Sequence, residues 1–381
     1  MRVSLVRGGT SKGVFVDLDA LPAEPDRRDA LALALLGSPD PMQLDGLGGT
    51  HSSTSKLMAV GTPEQAAPHL AGPGRYGPAH GEVDLVSLFG QVAVDRPAVD
   101  WAGNCGNLTA AVGAYALHRG LLRRSGPRTD LRLLNLNTGT RIRLSMPLVD
   151  GRLAPTGDLA IAGVPGTAAP IEVEFCDPGG TRTGSALPAG PRTGLRVRDP
   201  RTGRDTEVTA TLIDVATPVV LVRATDLDVP ATAPPAALNA DAGLLGYLSA
   251  LRRAGAEAMG FPASASVPRV AVIAEPTTHR LADGRSLSAA DADLVVRMTS
   301  MDVVHHALPA TGMLAVAAAA ALPGTVGYLP DSAGRCRLAH PKGIARVSAR
   351  PSGPASVSSV SVSRTARVLL DGEFHLPAGL A

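Results

Sequence analysis

Short runs of alternating or continuous apolar residues, separated by Gly, Asn and Pro, dominate the chain and predict β-strands. The runs in the first half are RVSLVRGG, GVFVDL, VDLVSLFGQVAV, LRLLNLNTG, TRIRLSMPL and IEVEF. Those in the second half are EVTATLIDVATPVVLVRA, RVAVIAEP, DADLVVRMTSM, ARVSAR and VSSVSVSRTARVLLDG. The pattern therefore predicts a protein built mostly of sheet.

Helical periodicity is found in fewer places, at DRRDALALALLG, NLTAAVGAYALHRGLL, LNADAGLLGYLSALRRAGAEAMG and TGMLAVAAAAALPG. The second and fourth of these segments follow a Gly-containing turn and consist almost wholly of small apolar residues. A helix that is apolar on every face is buried on every face. One such helix in each half, accompanied by many strands, predicts an α+β protein with two similar domains, each a curled sheet around a central helix.

The length of 381 residues is sufficient for two ordinary domains. We expect the first to cover residues 1–183 and the second residues 184–381, with the last strand free to return to the first domain. The stretch GSALPAGPRTG, from Gly184 to Gly194, is rich in Pro and Gly and is the best linker candidate.

Composition and charge exclude several classes of function. The formal net charge is +2 and no basic block is interleaved with aromatic residues, so a nucleic-acid partner is not expected. The start MRVSLVRGGTSKG lacks a signal-peptide pattern, and the longest apolar run is too short to span a bilayer. We therefore expect a cytoplasmic protein without a membrane partner. The three cysteines form no CxxC pair, so neither a disulfide framework nor a metal site is indicated.

The segment GNCGNLTAA places Cys105 directly before the first small-residue helix. Asn104 or Asn107 can cap this helix, and Gly106 lets the backbone approach a ligand closely. The first backbone N–H groups of a helix are unpaired and carry partial positive charge, which lowers the pKa of a nearby thiol and can hold a carboxylate or an enolate oxygen. The alternative is that Cys105 is a small apolar residue buried at a helix start.

A second candidate is the segment GLGGTHSSTSKLMAV, in which five hydroxyl side chains precede Lys56 and an apolar run. The phosphate-loop pattern fails because no Gly directly precedes Lys56, so a carboxylate-binding loop with a lysine base fits better. The chain has only three lysines among 36 basic residues, and lysine, unlike arginine, can lose its proton when it is desolvated. The alternative is a solvated hydroxyl-rich turn.

A third candidate is the segment RMTSMDVVHHALPATGMLAV in the second half. It places Thr311 and Gly312 at the start of the second small-residue helix, and Arg297 is available to bind a carboxylate. We find no nucleophile elbow, no HExxH zinc motif and no dinucleotide-binding GxGxxG.

Six segments together resemble the PrpF-type 2-methylaconitate cis-trans isomerase family. They are RGGTSKGVF, SSTSK, FGQVAVDRPAVDWAGNCGN, NLNTG, GVPGTAAPIEV and HPKG. The resemblance covers nearly the whole chain. It extends to 4-oxalomesaconate tautomerases and methylitaconate isomerases.

The resemblance implies a diaminopimelate epimerase-like fold, with two barrel-like halves around central helices and the site in the cleft between them. Epimerases of that fold use one cysteine from each half. Here Pro309 stands near the expected position of the second thiol, so a two-thiol racemase is disfavoured. The implied catalytic pair is Lys56 and Cys105, which would move a proton along an unsaturated carboxylate without a redox cofactor or a metal. The implied substrate-binding residues are Ser11, Ser53, Asn104, Gly106, Asn107, Arg297, Ser300, Thr311 and Gly312.

The sequence is compatible with three functions. The first is a cofactor-independent isomerase of an unsaturated di- or tricarboxylate similar to 2-methylaconitate. The second is a tautomerase of an oxo-acid such as 4-oxalomesaconate. The third is a non-catalytic partner that maintains an aconitase-like enzyme. The fold is also compatible with a homodimer, because its sheet edges often pair.

Overall fold

The computed structural model describes residues 1–69, 82–377 and 379. The chain forms two compact units, the first made of residues 1–174 and 363–381 and the second of residues 175–362. The division expected between residues 183 and 184 lies close to this boundary but not at it. The linker candidate, residues 184–194, lies inside the second unit, where Ala186 and Leu187 are buried.

The helices and strands have the following bounds. The helices are α1 (Pro25–Leu36), α2 (Gly106–Arg119), α3 (Ala224–Leu227), α4 (Pro235–Ala240), α5 (Ala242–Ala258) and α6 (Ala310–Ala321). The strands up to residue 176 are β1 (Arg2–Gly8), β2 (Ser11–Asp17), β3 (Lys56–Gly61), β4 (Leu85–Val92), β5 (Val99–Asp100), β6 (Arg128–Asn135), β7 (Arg141–Val149), β8 (Arg152–Leu153), β9 (Leu159–Ala160), β10 (Thr167–Ala168) and β11 (Ile171–Cys176). The later strands are β12 (Thr193–Asp199), β13 (Arg204–Val215), β14 (Thr217–Arg223), β15 (Arg269–Ala274), β16 (His279–Arg280), β17 (Ser286–Leu287), β18 (Leu294–Ser300), β19 (Val303–Val304), β20 (Arg335–His340), β21 (Gly343–Gly353), β22 (Ser356–Arg364) and β23 (Ala366–Glu373).

The two units share one succession of strand directions. In the first unit, neighbouring strands follow the order β23, β1, β2, β3, β4, β6 and β7. In the second they follow the order β12, β13, β14, β15, β18, β20 and β21. In both, the successive pairings are antiparallel, antiparallel, parallel, antiparallel, parallel and antiparallel. The expected α+β class with two similar sheet-rich halves is confirmed.

A helix of small residues is buried against the sheet of each unit. In α2 every residue from Gly106 to Leu117 is buried, and in α6 every residue from Ala310 to Ala320 is buried. Helix α2 packs against β1, β2 and β3 and also against β23, whereas α6 packs against β13, β14, β20 and β21. The prediction that these two helices are surrounded by sheet is therefore confirmed.

Several boundaries differ from the sequence pattern. The run EVTATLIDVATPVVLVRA is two strands, because Ala216 has a φ of +59° and turns the chain back between β13 and β14. The last long run breaks at Thr365 into β22 and β23, and β23 pairs with β1 of the first unit. The sequence pattern predicts neither the longer strands β3, β12 and β20 nor any of the two-residue strands, and the third predicted helix is divided into α4 and α5 at Asp241.

The described part of the chain has no helix long and apolar enough to cross a membrane.

Candidate active site

Cys105 is the residue that precedes the first turn of α2. It has an extended backbone with φ −112° and ψ 94°, and its side chain makes no capping hydrogen bond. Its Sγ lies 4.0 Å from the hydroxyl oxygen of Ser11, and the residue is 9% exposed. The thiol therefore lies at the N-terminus of a buried helix, whose first backbone N–H groups have no acceptor within the helix.

The sequence predicted that one of the two asparagines near Cys105 caps the helix, but neither side chain does so. The side-chain oxygen of Asn104 accepts a hydrogen bond from the backbone N–H of Cys105 at 2.7 Å and another from the Thr109 hydroxyl at 3.2 Å. The side-chain nitrogen of Asn107 donates to the hydroxyl oxygens of Thr10 at 3.1 Å and Ser11 at 3.4 Å. The amide nitrogen of Asn104 is buried and has no hydrogen-bond partner among the described residues, which leaves an unused donor in the residue that precedes Cys105.

Arg364 adds a buried positive charge at the same helix start. Its Nε donates to the side-chain oxygen of Asn107 at 3.1 Å, and the residue is 5% exposed. Burial lowers the pKa of Arg364 to about 10, so the guanidinium still carries its charge at neutral pH. The start of α2 thus combines unpaired N–H groups with a cation, which favours an anionic ligand.

Lys56 begins strand β3 and is 8% exposed. In the antiparallel register of β3 and β4 it lies opposite Gln91, whose side-chain oxygen accepts a hydrogen bond from the Lys56 amine. The Gln91 amide nitrogen donates to the backbone oxygens of Ser52 at 3.1 Å and Ser55 at 3.0 Å. The Lys56 Nζ also lies 5.2 Å from the ring centroid of Phe89. The amine is therefore held in one orientation in a largely dry environment.

The start of β2 connects the surroundings of Lys56 and Cys105. The Ser11 hydroxyl contacts the thiol, and the backbone N–H of Lys12 donates to the backbone oxygen of Ser53 at 3.0 Å. A Cβ on Gly13 would lie 2.8 Å from both the Lys56 backbone oxygen and a Leu108 methyl group of α2. Three consecutive residues of a strand span about 7 Å between their first and last Cα atoms. Within the first unit, the structure therefore brings together Lys56, Cys105, Ser11, Ser53, Asn104, Gly106 and Asn107.

The second unit contains the remaining candidates. Thr311 and Gly312 lie in the first turn of α6, which is preceded by Pro309, and Thr311 is buried. A Cβ on Gly312 would lie 2.2 Å from the Met298 sulfur and 3.4 Å from the Arg269 Cδ. Arg269, which the sequence did not single out, thus has a side chain that reaches the start of α6.

Arg297 lies elsewhere in the second unit. Its Nε donates to the Ala233 backbone oxygen at 3.0 Å, and one terminal nitrogen donates to the Val296 oxygen at 3.1 Å. Side chains alternate between the two faces of a strand, so Arg297 lies on the opposite face of β18 from its neighbour Met298, which contacts α6. Burial lowers the pKa of Arg297 to about 10. Ser300 ends β18 and is buried. A substrate-binding role for Arg297 and Ser300 stays a prediction.

The other two cysteines have different surroundings. Burial and the carboxylate of Asp293 raise the pKa of Cys336 to about 12, so its thiol is un-ionised at neutral pH. Cys176 is partly exposed at the end of β11. Neither of them begins a helix.

Comparison with known proteins identifies relatives over nearly the full length. Residues 1–377 match the family described as PrpF protein. The 2-methyl-aconitate isomerase of Shewanella oneidensis is 36% identical over 98% of this chain and 96% of its own length. The (4E)-oxalomesaconate Delta-isomerase of Novosphingobium sp. is 35% identical over 96% of this chain and 95% of its own length.

Solved structures confirm the fold. A methylitaconate-delta-isomerase superposes with a TM-score of 0.75 at 31% identity, covering 98% of this chain and 94% of the other. Racemases and epimerases of lower identity share the fold alone, which agrees with the expected diaminopimelate epimerase-like architecture. From the family match and these relatives we conclude that the chain belongs to the PrpF family and is an isomerase.

Proposed function

We propose that this isomerase moves a proton between two carbons of an unsaturated di- or tricarboxylate similar to 2-methylaconitate, and that Lys56 and Cys105 carry the proton. The proposal rests on the start of β2, where the thiol of Cys105 lies beside Ser11 and the backbone and Cβ of Lys56 lie beside Gly13, two residues further on. The name of the 2-methyl-aconitate isomerase relative supports this class of substrate.

The contacts around the two groups suit acid–base chemistry. Gln91 accepts from the Lys56 amine and is itself fixed by two backbone oxygens, so the amine has a defined direction. Removing a side chain that transfers a proton in the transition state typically reduces the rate by about 10²- to 10⁴-fold. Both side chains are more than nine-tenths buried, which strengthens electrostatic interactions with a bound anion.

The proton shift balances without a change in oxidation state. A base removes an allylic proton, and the electron pair of that C–H bond enters the conjugated system to form a dienolate. The negative charge reaches the carboxylate oxygens, where the N–H groups at the start of α2 and the nearby guanidinium of Arg364 favour it. A proton then returns either to the far carbon, which moves the double bond, or to the original carbon after rotation, which changes the cis/trans geometry.

The test follows isomerisation and deuterium entry into 2-methylaconitate or trans-aconitate in heavy water by NMR. We expect the Lys56→Ala protein to lose both signals by at least about 100-fold and Cys105→Ser to lower them. Lys56→Arg is informative, because it keeps the charge but cannot act as a base at working pH.

Cys176→Ser is the matched control, since it removes a thiol that does not begin a helix and should leave the rate unchanged. Full exchange by the Lys56→Ala protein would contradict the proposal. So would loss of activity in Cys176→Ser equal to that in Cys105→Ser.

A second substrate class is favoured by one comparison, the relative named (4E)-oxalomesaconate Delta-isomerase. Lys56 and Cys105 would transfer the proton here as well, because both substrates require a proton beside a conjugated carboxylate to be moved. Parallel assays with 4-oxalomesaconate and 2-methylaconitate would separate the two substrates by their kcat/KM values. The cytoplasmic location and a homodimer stay predictions, and equilibrium sedimentation would test the dimer.

A further inference from the structure

A cavity of about 480 Å³ lies in the first unit, apart from the residues assigned to proton transfer. One wall is apolar and comes from the segment around β9 and β10, with Leu159, Ile161 and Val164. Ala114 and His118, from the C-terminal half of α2, also line it, whereas Cys105 precedes the first turn of that helix. With a rise of 1.5 Å per residue, they lie roughly 14 to 20 Å along the helix from Cys105.

The rest of the lining includes three positively charged side chains. Arg7 on β1 and Arg367 on β23 are directly paired in the antiparallel register, and both line the cavity together with Arg152. Like charges placed opposite each other in a sheet are destabilising. Burial lowers the pKa of Arg7, and the charge of Arg367 lowers it further. This agrees with repulsion between the two positive charges.

The described residues supply little negative charge to these arginines. Among them, the guanidinium of Arg7 donates to uncharged acceptors, the Gly9 oxygen at 3.2 Å and the backbone and hydroxyl oxygens of Thr365 at 3.0 Å. Asp371 lies 3.7 Å from His118, but it is already bound by Arg2 at 2.6 Å. Among the described residues that line the cavity there is no carboxylate.

We propose that this cavity is a second binding site, for a small organic anion with at least two negative charges and a short apolar part. The three guanidinium groups would bind the charges, since arginine matches carboxylate and phosphate oxygens in pairs. The apolar wall would cover the carbon skeleton, and the volume lies within the range of small-molecule sites. Polycarboxylates and phosphate esters share this chemistry.

Calorimetric titration of the full chain with citrate and, separately, with pyrophosphate tests the site and distinguishes the two sources. We expect at least one of these anions to bind, and its affinity to fall about tenfold or more in Arg367→Gln and in Arg152→Gln. Each variant changes an exposed side chain, so thermal unfolding should show an intact fold.

The matched control is Arg204→Gln, which removes one exposed positive charge from the first residue of β13 in the second unit and should leave the affinity unchanged. Because citrate can also enter the proposed catalytic site, only binding that weakens in both Arg367→Gln and Arg152→Gln is assigned to the cavity. Such binding of citrate would assign the cavity to carboxylates, and such binding of pyrophosphate would assign it to phosphates. The proposal is overturned if neither anion binds at millimolar concentration. It is also overturned if Arg367→Gln and Arg152→Gln bind as tightly as the Arg204→Gln control.

Discussion

The two units of this enzyme have the same order of strand directions and a buried central helix. The residues around the starts of these two helices, however, differ in their chemical groups. In the first unit α2 is preceded by Cys105, with Ser11, Asn107 and Arg364 around its first turn. In the second, α6 is preceded by Pro309, and the sulfur of Met298 lies against Gly312. A proline has no side-chain proton to exchange, whereas a thiol has one.

This difference shows which positions the fold leaves free to vary. The faces of α2 and α6 are apolar and small in both units, because strands surround them closely. The residue before each helix lies at the N-terminus of that helix. The unpaired backbone N–H groups there favour anions, whichever side chain this residue carries. Two similar scaffolds can therefore provide one helix end with a reactive group and one without.

The largest expected effect comes from moving the thiol. Cys105→Ala should lower the isomerisation rate by at least about 100-fold, and the double variant Cys105→Ala with Pro309→Cys should stay equally low. The reason is that Ser11 and Asn107, which surround Cys105, belong to the first unit. Steady-state rates of the three proteins check this, and recovery of activity in the double variant would show that the two helix starts are equivalent.

Shortening a buried leucine on each central helix should affect stability alike. Leu108 on α2 and Leu314 on α6 are fully buried, so Leu108→Ala and Leu314→Ala should each cost about 2–5 kcal/mol of unfolding free energy. Urea unfolding with separate reporters for the two units would measure this. A cost below about 1 kcal/mol for either variant would mean that the unit concerned is loosely packed around its helix.

A smaller contrast is expected between two glycines beside the helix starts. A Cβ on Gly8 would lie 2.2 Å from the backbone oxygen of Asn107, which cannot move without displacing α2, so Gly8→Ala should cost about 1–3 kcal/mol and lower activity. A Cβ on Gly312 meets the flexible end of Met298, so Gly312→Ala should change stability by less than about 1 kcal/mol. Equal effects in thermal unfolding would remove this distinction between the units.

The sequence predicted the two central helices and the position of Cys105 because these depend on local composition. It did not predict Gln91 as the partner of Lys56, since that contact depends on the register of β3 and β4. Arg364 was missed for a similar reason, because residues 107 and 364 meet only after the last strands return to the first unit. In β18, successive side chains point to opposite faces of the strand. This alternation was the sequence signal that could have placed Arg297 and Met298 on different faces.

The breaks within long apolar runs were also hidden. Ala216 turns the chain with a positive φ, a conformation for which Gly or Asn is the usual signal, and no such residue stands there. Thr365 separates β22 from β23 without any Pro or Gly. Local patterns therefore identified strands as a class, but tertiary pairing decided where each one ends.

The smallest expected effect concerns one aspartate in each unit. The hydrogen bond from Arg2 holds the pKa of Asp371 below its usual range, and the hydrogen bond from Arg337 does the same for Asp293. Each depressed pKa stabilises the fold above the unfolded value of about 3.9, and this contribution is lost as the pH falls through the folded pKa. Asp371→Asn and Asp293→Asn should each cost about 1 kcal/mol at pH 7 and much less near pH 2. Urea unfolding at both pH values checks this, and a cost that does not depend on pH would contradict it.

Alkylation of the thiol at the start of α2 shows whether this group takes part in proton transfer. In a Cys176→Ser protein treated with iodoacetamide at pH 8, Cys336 should stay unmodified because burial raises its pKa to about 12. Mass spectrometry would give the fraction of Cys105 that is modified, and the same samples would be assayed with 2-methylaconitate. We predict that activity falls in proportion to that fraction and that substrate slows the modification. Undiminished activity in a protein fully alkylated at Cys105 would show that its thiol takes no part in the reaction.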